Sequence, residues 1–447
     1  MIPRTGTRVR WSAIDEAAFV IGSSTEPWNI HIEAAVTGRL DDARLRTAVA
    51  AALSLHPFAR VRVRLPAAGG RQEWEIPQVL DLDPVETIIC ANDAELGVAR
   101  AALLSREIPL SLSPPLRVLL ARHPAGDVVL MSLHHAAADG ISALRLLRSI
   151  ARAYANEPDP LPAVDPLATR DLAGWVSNAG LRAALRRVWV QARELHQATA
   201  RSSRFVSDGA AALPGYGVCN LALRSHQTEV LTRSHPGGAT VNDMLVAAMH
   251  LAVGQWNEKH GGPAGRVGIM MPVNLRPRTW WHEVVGNFAF LVPVATQPRD
   301  RAGPAAVLSA VTRRTRQVKR DRAAAVSAAG ISHLQALPAP ARTALGRVAT
   351  SERFAPTALL SNLGALPGTL HFGTAAGEVT RLWFSPPAKM PYGLSVGAVT
   401  YRSQLFLSFR YRYPLLSETA ACAFARCYLA AVDAVERLAG DLLTLPH

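Results

Sequence analysis

Apolar and polar positions along this chain repeat with two different periods, and the places where the period changes mark its elements. Residues 29–36, Asn-Ile-His-Ile-Glu-Ala-Ala-Val, alternate and predict a strand. Asp41-Asp42 then precede Leu45, Val49, Ala52 and Leu53 at helical spacing, a capped helix with one apolar face. Pro57 ends it, and residues 59–65 alternate strictly, predicting a half-buried strand. Residues 14–19 read as a short helical entry, 74–76 as a short strand and 94–105 as a helix. Pro114-Pro115 lead into an apolar run, 116–120, and a second run follows at 128–133. After Gly140 the period becomes helical: Ile141, Leu144, Leu147 and Ile150 are broken by Arg145, Arg148 and Arg152, to about Glu157. Prolines 158, 160, 162 and 166 make the best linker in the chain.

The second half repeats the alternation of strand and helix. Thr240 caps a helix through about Trp256, and 267–273, 288–294, 358–364 and 405–411 read as strands. Ser417 caps a last helix carrying Phe424, Tyr428, Val432, Val435 and Leu438 on one face, with Gly440 at its end. Strands alternating with helices in both halves predict an α/β fold. The expected division is 1–165, a linker with a basic helix over 166–212, and 213–447.

Composition narrows the classes. The chain has 447 residues, 49% of them apolar, with mean hydropathy +0.11, which supports cores and excludes a disordered protein. Cys90, Cys219, Cys422 and Cys427 form no CxxC pair, which argues against a zinc ribbon or disulfide scaffold and suits a cytoplasmic protein. The opening residues carry no secretory apolar region, and no run is long enough to span a bilayer. Net charge is +14 and the pI about 10.5. That balance suits an anionic membrane, CoA phosphates or an acidic carrier protein; no nucleic-acid motif accompanies it. Residues 181–197 form a basic amphipathic helix, Leu181, Leu185, Val188, Trp189 and Leu195 against Arg182, Arg186, Arg187 and Arg193. Packing at a domain junction is the expected role, with membrane or carrier contact as the alternative. Arg313 to Arg322 read as a solvated basic face.

The chemistry concentrates at residues 134–140, His-His-Ala-Ala-Ala-Asp-Gly, where the strand ends and the helix begins. Sites form at such strand ends. A neutral imidazole is the natural base near neutral pH, and a helix N-terminus beside it disfavours the imidazolium. Asp139 can cap the helix, and Gly140 can take a backbone conformation closed to other residues. Adjacent strand residues face opposite ways, so one histidine is the base and the other a buried neighbour. The same geometry leaves a metal site without a third ligand at fixed spacing.

This stretch resembles the HHxxxDG motif of acyltransferases that use CoA or carrier-protein thioesters, among them chloramphenicol acetyltransferase, nonribosomal peptide condensation domains and wax ester synthases. The resemblance implies two similarly folded halves forming a V with a channel at their interface. It makes His135 the catalytic base, with His134, Asp139 and Gly140 completing the motif. Asn274-Leu275-Arg276-Pro277, followed by Gly286-Asn287-Phe288, resembles a central segment of the superfamily. There Arg276 would pair with Asp139, making Asp139 an anchor. Ser361-Asn362 resembles a Ser-Asn turn of wax ester synthases and offers oxyanion donors, as Asn274 offers a substrate contact. Thr240-Val241-Asn242-Asp243 resembles a helix start of the same enzymes, although Asp243 in a first turn also suits the helix dipole. The implied reaction is direct acyl transfer to a hydroxyl or amine, with acyl-CoA or acyl-phosphopantetheine as co-substrate, no further cofactor and no acyl-enzyme. A condensation-like module for carrier docking, cyclisation or epimerisation is the alternative. A monomer is expected.

Overall fold

A computed structural model describes every residue except 1–5, 23–25, 65–71, 162–164, 166, 168–179, 210–213, 234 and 444–447. Leu65, Pro162, Pro166 and Leu213, used above to place a strand end and the linker, lie outside the described residues.

The first half begins with β1 (Thr7–Arg10), α1 (Ala13–Ile21), β2 (Asn29–Val36) and α2 (Asp42–Leu55). The Asp41 carboxylate caps α2 by accepting from Arg44 N at 2.7 Å, and Leu45, Val49, Ala52 and Leu53 are buried as their spacing requires. β3 (Arg62–Arg64) is shorter than the alternation at 59–65 predicts. Pro57 opens a tight turn, closed by Ala59 N donating to His56 O, which takes the chain as far as Arg60. β4 (Glu73–Ile76), β5 (Val85–Ile89), α3 (Asp93–Ser105), β6 (Leu116–Arg122), β7 (Val128–His134) and α4 (Gly140–Ala155) follow.

Then come α5 (Leu181–Thr199), β8 (Tyr216–Ala222), α6 (Ser225–Arg233), α7 (Val241–Lys259), β9 (Val267–Asn274) and β10 (Ala289–Thr296). The chain continues through α8 (Pro304–Arg320), α9 (Ala323–Leu334), α10 (Ala339–Ala349), β11 (Ala358–Ala365), β12 (Val379–Ser385), β13 (Leu394–Tyr401), β14 (Gln404–Arg412) and α11 (Glu418–Leu443). The last helix runs on through Gly440, so that glycine does not end it.

The strands form two mixed sheets, one per lobe, and a small sheet β1-β4-β3. The second lobe's sheet has the order β10-β9-β11-β13-β14-β8. The first lobe's sheet has the order β12-β2-β7-β6-β5, so a strand from late in the chain completes it. β12 runs antiparallel to β2, from Val379 opposite Val36 to Ser385 opposite His31. Its Leu382 and Phe384 enter the same core as α2 and α4. Each such buried side chain contributes roughly 1.5–3 kcal/mol. The second core joins α7 and α11 to β13 and β14.

One arginine of α4 is buried, and the expectation for α5 is corrected. Arg145 does not face water: it is buried in α4, hydrogen-bonds Ser149 and Asp159, and forms an ion pair with Glu283. Ser149 and Arg152 also bind Asp159, so the proline stretch is tied to α4 at its start. Burial raises the Asp159 carboxyl, but hydrogen bonds from Arg145, Ser149 and Arg152 outweigh it and hold it at about 2. The stripe of α5 formed by Leu181, Leu185, Val188, Trp189 and Leu195 is exposed, whereas a junction helix would bury it. Only Val190 and Glu194 of α5 are buried, Val190 against Val292 and Val318. On α8, Arg313, Arg316, Lys319 and Arg320 are exposed, as a solvated face requires, and Arg314 turns inward to Glu194 at 2.5 Å.

Candidate active site

β7 delivers the two histidines to the gap between the lobes. Its last residue, His134, is held by its N–H on Pro115 O at 3.0 Å. His135 follows, its N–H on Trp28 O at 2.9 Å. Ala137 N donates back to His134 O at 3.0 Å, and the chain enters α4 at Asp139. The turn is tight because 136–138 are alanines, all buried.

The two imidazoles face different spaces, as the strand alternation predicts. His134 Nδ1 accepts from Ala136 N at 3.1 Å, and its ring borders a cavity of about 370 Å³ with Phe19, Glu107, Leu110 and Arg347. Burial, then the neighbouring His135, pushes its pKa down to about 3, so it is neutral. His135 lines a separate cavity of about 510 Å³ between the lobes. Its Nδ1 lies 3.1 Å from Ala138 O, a group that can only accept. Nδ1 therefore carries the proton and Nε2 keeps its lone pair. Burial lowers the His135 pKa from 6.5, and the nearby Asp139 charge, which raises it, is the smaller effect. Trp28 stacks against this ring, centroids 6.0 Å apart and planes within 9°, and lines both cavities.

Asp139 does not touch His135 by a hydrogen bond. Its Oδ1 accepts from Ser142 N at 2.9 Å, capping α4, and from Arg276 Nη2 at 3.0 Å. Its Oδ2 accepts from Arg276 Nη1 at 2.6 Å and from Phe288 N at 2.9 Å. Burial raises this carboxyl, yet the Arg276 charge and these bonds leave it below the ordinary carboxylate range. Arg276 is held in turn by Val284 O, Gly286 O and Ser142 Oγ, and lies over the Phe288 ring at 4.3 Å. The pair joins the start of α4 to the segment after β9, across the junction of the lobes. Asn287 Nδ2 reaches His135 O at 2.7 Å from the same segment.

Gly140 has no left-handed backbone, contrary to the conformational role expected of it. Space is the reason for glycine: a Cβ there would lie 2.7 Å from Leu363 Cδ2 and 2.9 Å from the Phe384 ring.

Of the residues singled out by sequence, His135, Asp139, Gly140, Asn274, Ser361 and Asn362 share the larger cavity. Arg276 stands behind it and His134 beside the other. Asn274 Oδ1 accepts from Arg276 N at 3.0 Å and Nη1 at 3.2 Å, which turns its Nδ2 away, buried and without a partner. Asn362 Oδ1 accepts from Gly364 N at 2.9 Å, closing the turn after Ser361. Asp243 and Thr240 form a reciprocal cap on α7, which accounts for Asp243, while Asn242 lines the cavity.

Sequence reasoning missed Trp28, Ser142 and the exposed rim residues Arg278, Trp281 and Lys319. Ser142 carried one usable signal, its place in the first turn after a capping aspartate. Trp28 carried none.

Two sheet lobes around this cavity define a chloramphenicol-acetyltransferase-like fold. Residues 21–326 match the Condensation domain family, and the chain belongs to that family. Its members are acyl-transferring enzymes that work on carrier-protein thioesters. The chain is 33% identical over 411 residues, 90% of its length and 94% of the relative's, to uncharacterized protein Rv2305 of Mycobacterium tuberculosis. In structure it is similar to the first condensation domain of the calcium-dependent antibiotic synthetase, solved with a substrate analogue (TM-score 0.71, 16% identity, 97% of each chain). It is also similar to the starter condensation domain of rhizomide synthetase, solved with C8-CoA (TM-score 0.68, 14% identity, 97% and 96% covered).

Proposed function

We propose that this protein transfers an acyl group from a CoA or carrier-protein thioester to a hydroxyl or amine, with His135 as general base. The observation that carries the reading is the 3.1 Å contact of His135 Nδ1 with Ala138 O, which sets the tautomer. With Nδ1–H spent on Ala138 O, the Nε2 lone pair is the free one, on a ring that lines the cavity between the lobes. In the proposed step Nε2 takes the acceptor's proton as the acceptor's oxygen or nitrogen bonds to the thioester carbonyl carbon. The carbonyl electrons move to oxygen. They return as the C–S bond breaks, and the imidazolium protonates the departing thiolate. No covalent intermediate on the protein is formed.

The unpartnered Asn274 Nδ2 and the Ser361 hydroxyl are the donors offered to the oxyanion. Asp139 holds the loop and does not relay the proton, because its oxygens are bonded to Arg276, Ser142 and Phe288. Arg278 and Lys319 at the rim supply positive charge suited to the phosphates of CoA or phosphopantetheine.

The test is intact-mass and product analysis over panels of acyl-CoAs and acyl carrier proteins with alcohol and amine acceptors. With a productive pair in hand, His135→Ala should lower kcat by about 10²–10⁴ while far-UV CD stays unchanged. Turnover near that of the parent protein would end the mechanism.

A further inference from the structure

The two cavities at the histidines and the motif leave the outer face of α5 unused. Leu181, Leu185, Val188, Trp189 and Leu195 are 76%, 61%, 64%, 59% and 64% exposed. Their spacing places them on one side of the helix, in a stripe ~21 Å long at 1.5 Å per residue. Isolated exposed leucines are ordinary, but five large apolar side chains in one stripe are not.

The charge around the stripe is net positive. The only acidic residue of α5, Glu194, is buried and paired with Arg314 and Arg193. Asp321 beside it takes Arg186, Arg193 and Arg320. Four guanidiniums (Arg186, Arg193, Arg314, Arg320) thus meet two carboxylates (Glu194, Asp321), an excess of two positive charges. Arg182 adds another, exposed beside Leu181 and Leu185. Arg193 also stacks on Trp189 at 4.8 Å, which places an aromatic ring between the apolar stripe and the cationic flank. A second copy would bring like charge against like. A folded protein partner would need a groove to receive a convex helix, whereas a bilayer surface accepts one as it is.

We propose that α5 lies flat on an anionic lipid bilayer, its apolar stripe in the headgroup–acyl boundary and its arginines against lipid phosphates. Among the described residues no helix is long and apolar enough to cross a membrane, so the contact is lateral. The proposal is independent of the reaction assigned to His135.

The test is flotation of the whole protein with vesicles of phosphatidylcholine alone and of phosphatidylcholine mixed with phosphatidylglycerol. The protein should float with the mixed vesicles at low salt, and stay behind with phosphatidylcholine alone or at high salt. Leu185→Asp with Val188→Asp should abolish flotation, and Arg182→Ser should weaken it roughly fivefold. Both variants change exposed side chains, so their CD spectra and urea midpoints should match the parent's. Failure of the parent to float with mixed vesicles overturns the proposal, as does equal flotation of the Asp variant. Capture by an acidic carrier protein through α5 without vesicle binding overturns it as well.

Discussion

Removing one member of the Asp139–Arg276 pair should cost far more than removing a surface ion pair. Both side chains are buried, 3% and 0% exposed, and the pair is bidentate at 2.6 and 3.0 Å. In Arg276→Met the Asp139 carboxylate keeps Ser142 N and Phe288 N but loses its counter-charge. In Asp139→Asn an Oδ1 acceptor for Ser142 N remains, while a buried guanidinium faces an amide. Each change should lower the unfolding free energy by about 3–5 kcal/mol, a fifth or more of a typical domain's ~5–15. The double variant leaves no unpaired charge, so its loss should fall short of the sum by about 1–3 kcal/mol. Urea unfolding at neutral pH, followed by far-UV CD, measures all four proteins. The pair also has a pH signature. A folded carboxyl pKa below the unfolded value contributes stability above the unfolded pKa, about 3.9, and loses it as pH falls through the folded value. The gap between parent and Asp139→Asn should therefore be widest near neutrality and close in acid. Single variants within ~0.5 kcal/mol of the parent, or costs that simply add, would show that the two groups do not act as a pair.

Two further predictions concern the site. Burial lowers the His135 pKa below 6.5, and a base is lost as pH falls through its pKa, so kcat/KM should be flat through neutrality and decline only in acid. An acidic limb centred above pH 7 would contradict that environment. Gly140→Val should destabilise by ~1–3 kcal/mol, since its branched side chain would meet Leu363 and the Phe384 ring; an unchanged urea midpoint would show that the contact is loose.

Local periodicity was enough for elements whose apolar positions set the period, even where, as in β2, every residue is buried. α2, β2, β7 and α4 were legible because each buries a stripe or a run that the sequence spells out. The HHxxxDG stretch went further, placing two histidines on opposite sides of one strand, and the structure puts their rings in two different cavities. The tie from Asp139 to Arg276 came from likeness to a family. Nothing in the spacing of residues 137 positions apart could have suggested it.

Tertiary structure decided the rest, in each case because the deciding partner is remote in sequence. Local spacing did not mark residues 379–385 as a strand; the structure makes them β12, and its pairing with β2 places them in the first sheet. The face of α5 that looked like core is exposed, because burial depends on what lies opposite and the protein sits against Val190 and Glu194. Glycine at 140 is required by Leu363 and Phe384, side chains more than 200 residues away, and not by its own backbone. The sequence by itself determined the class of fold and the loop that carries the two histidines. The contact of His135 Nδ1 with Ala138 O, the unpartnered Asn274 amide and the outward stripe of α5 are products of packing, which a one-dimensional pattern does not contain.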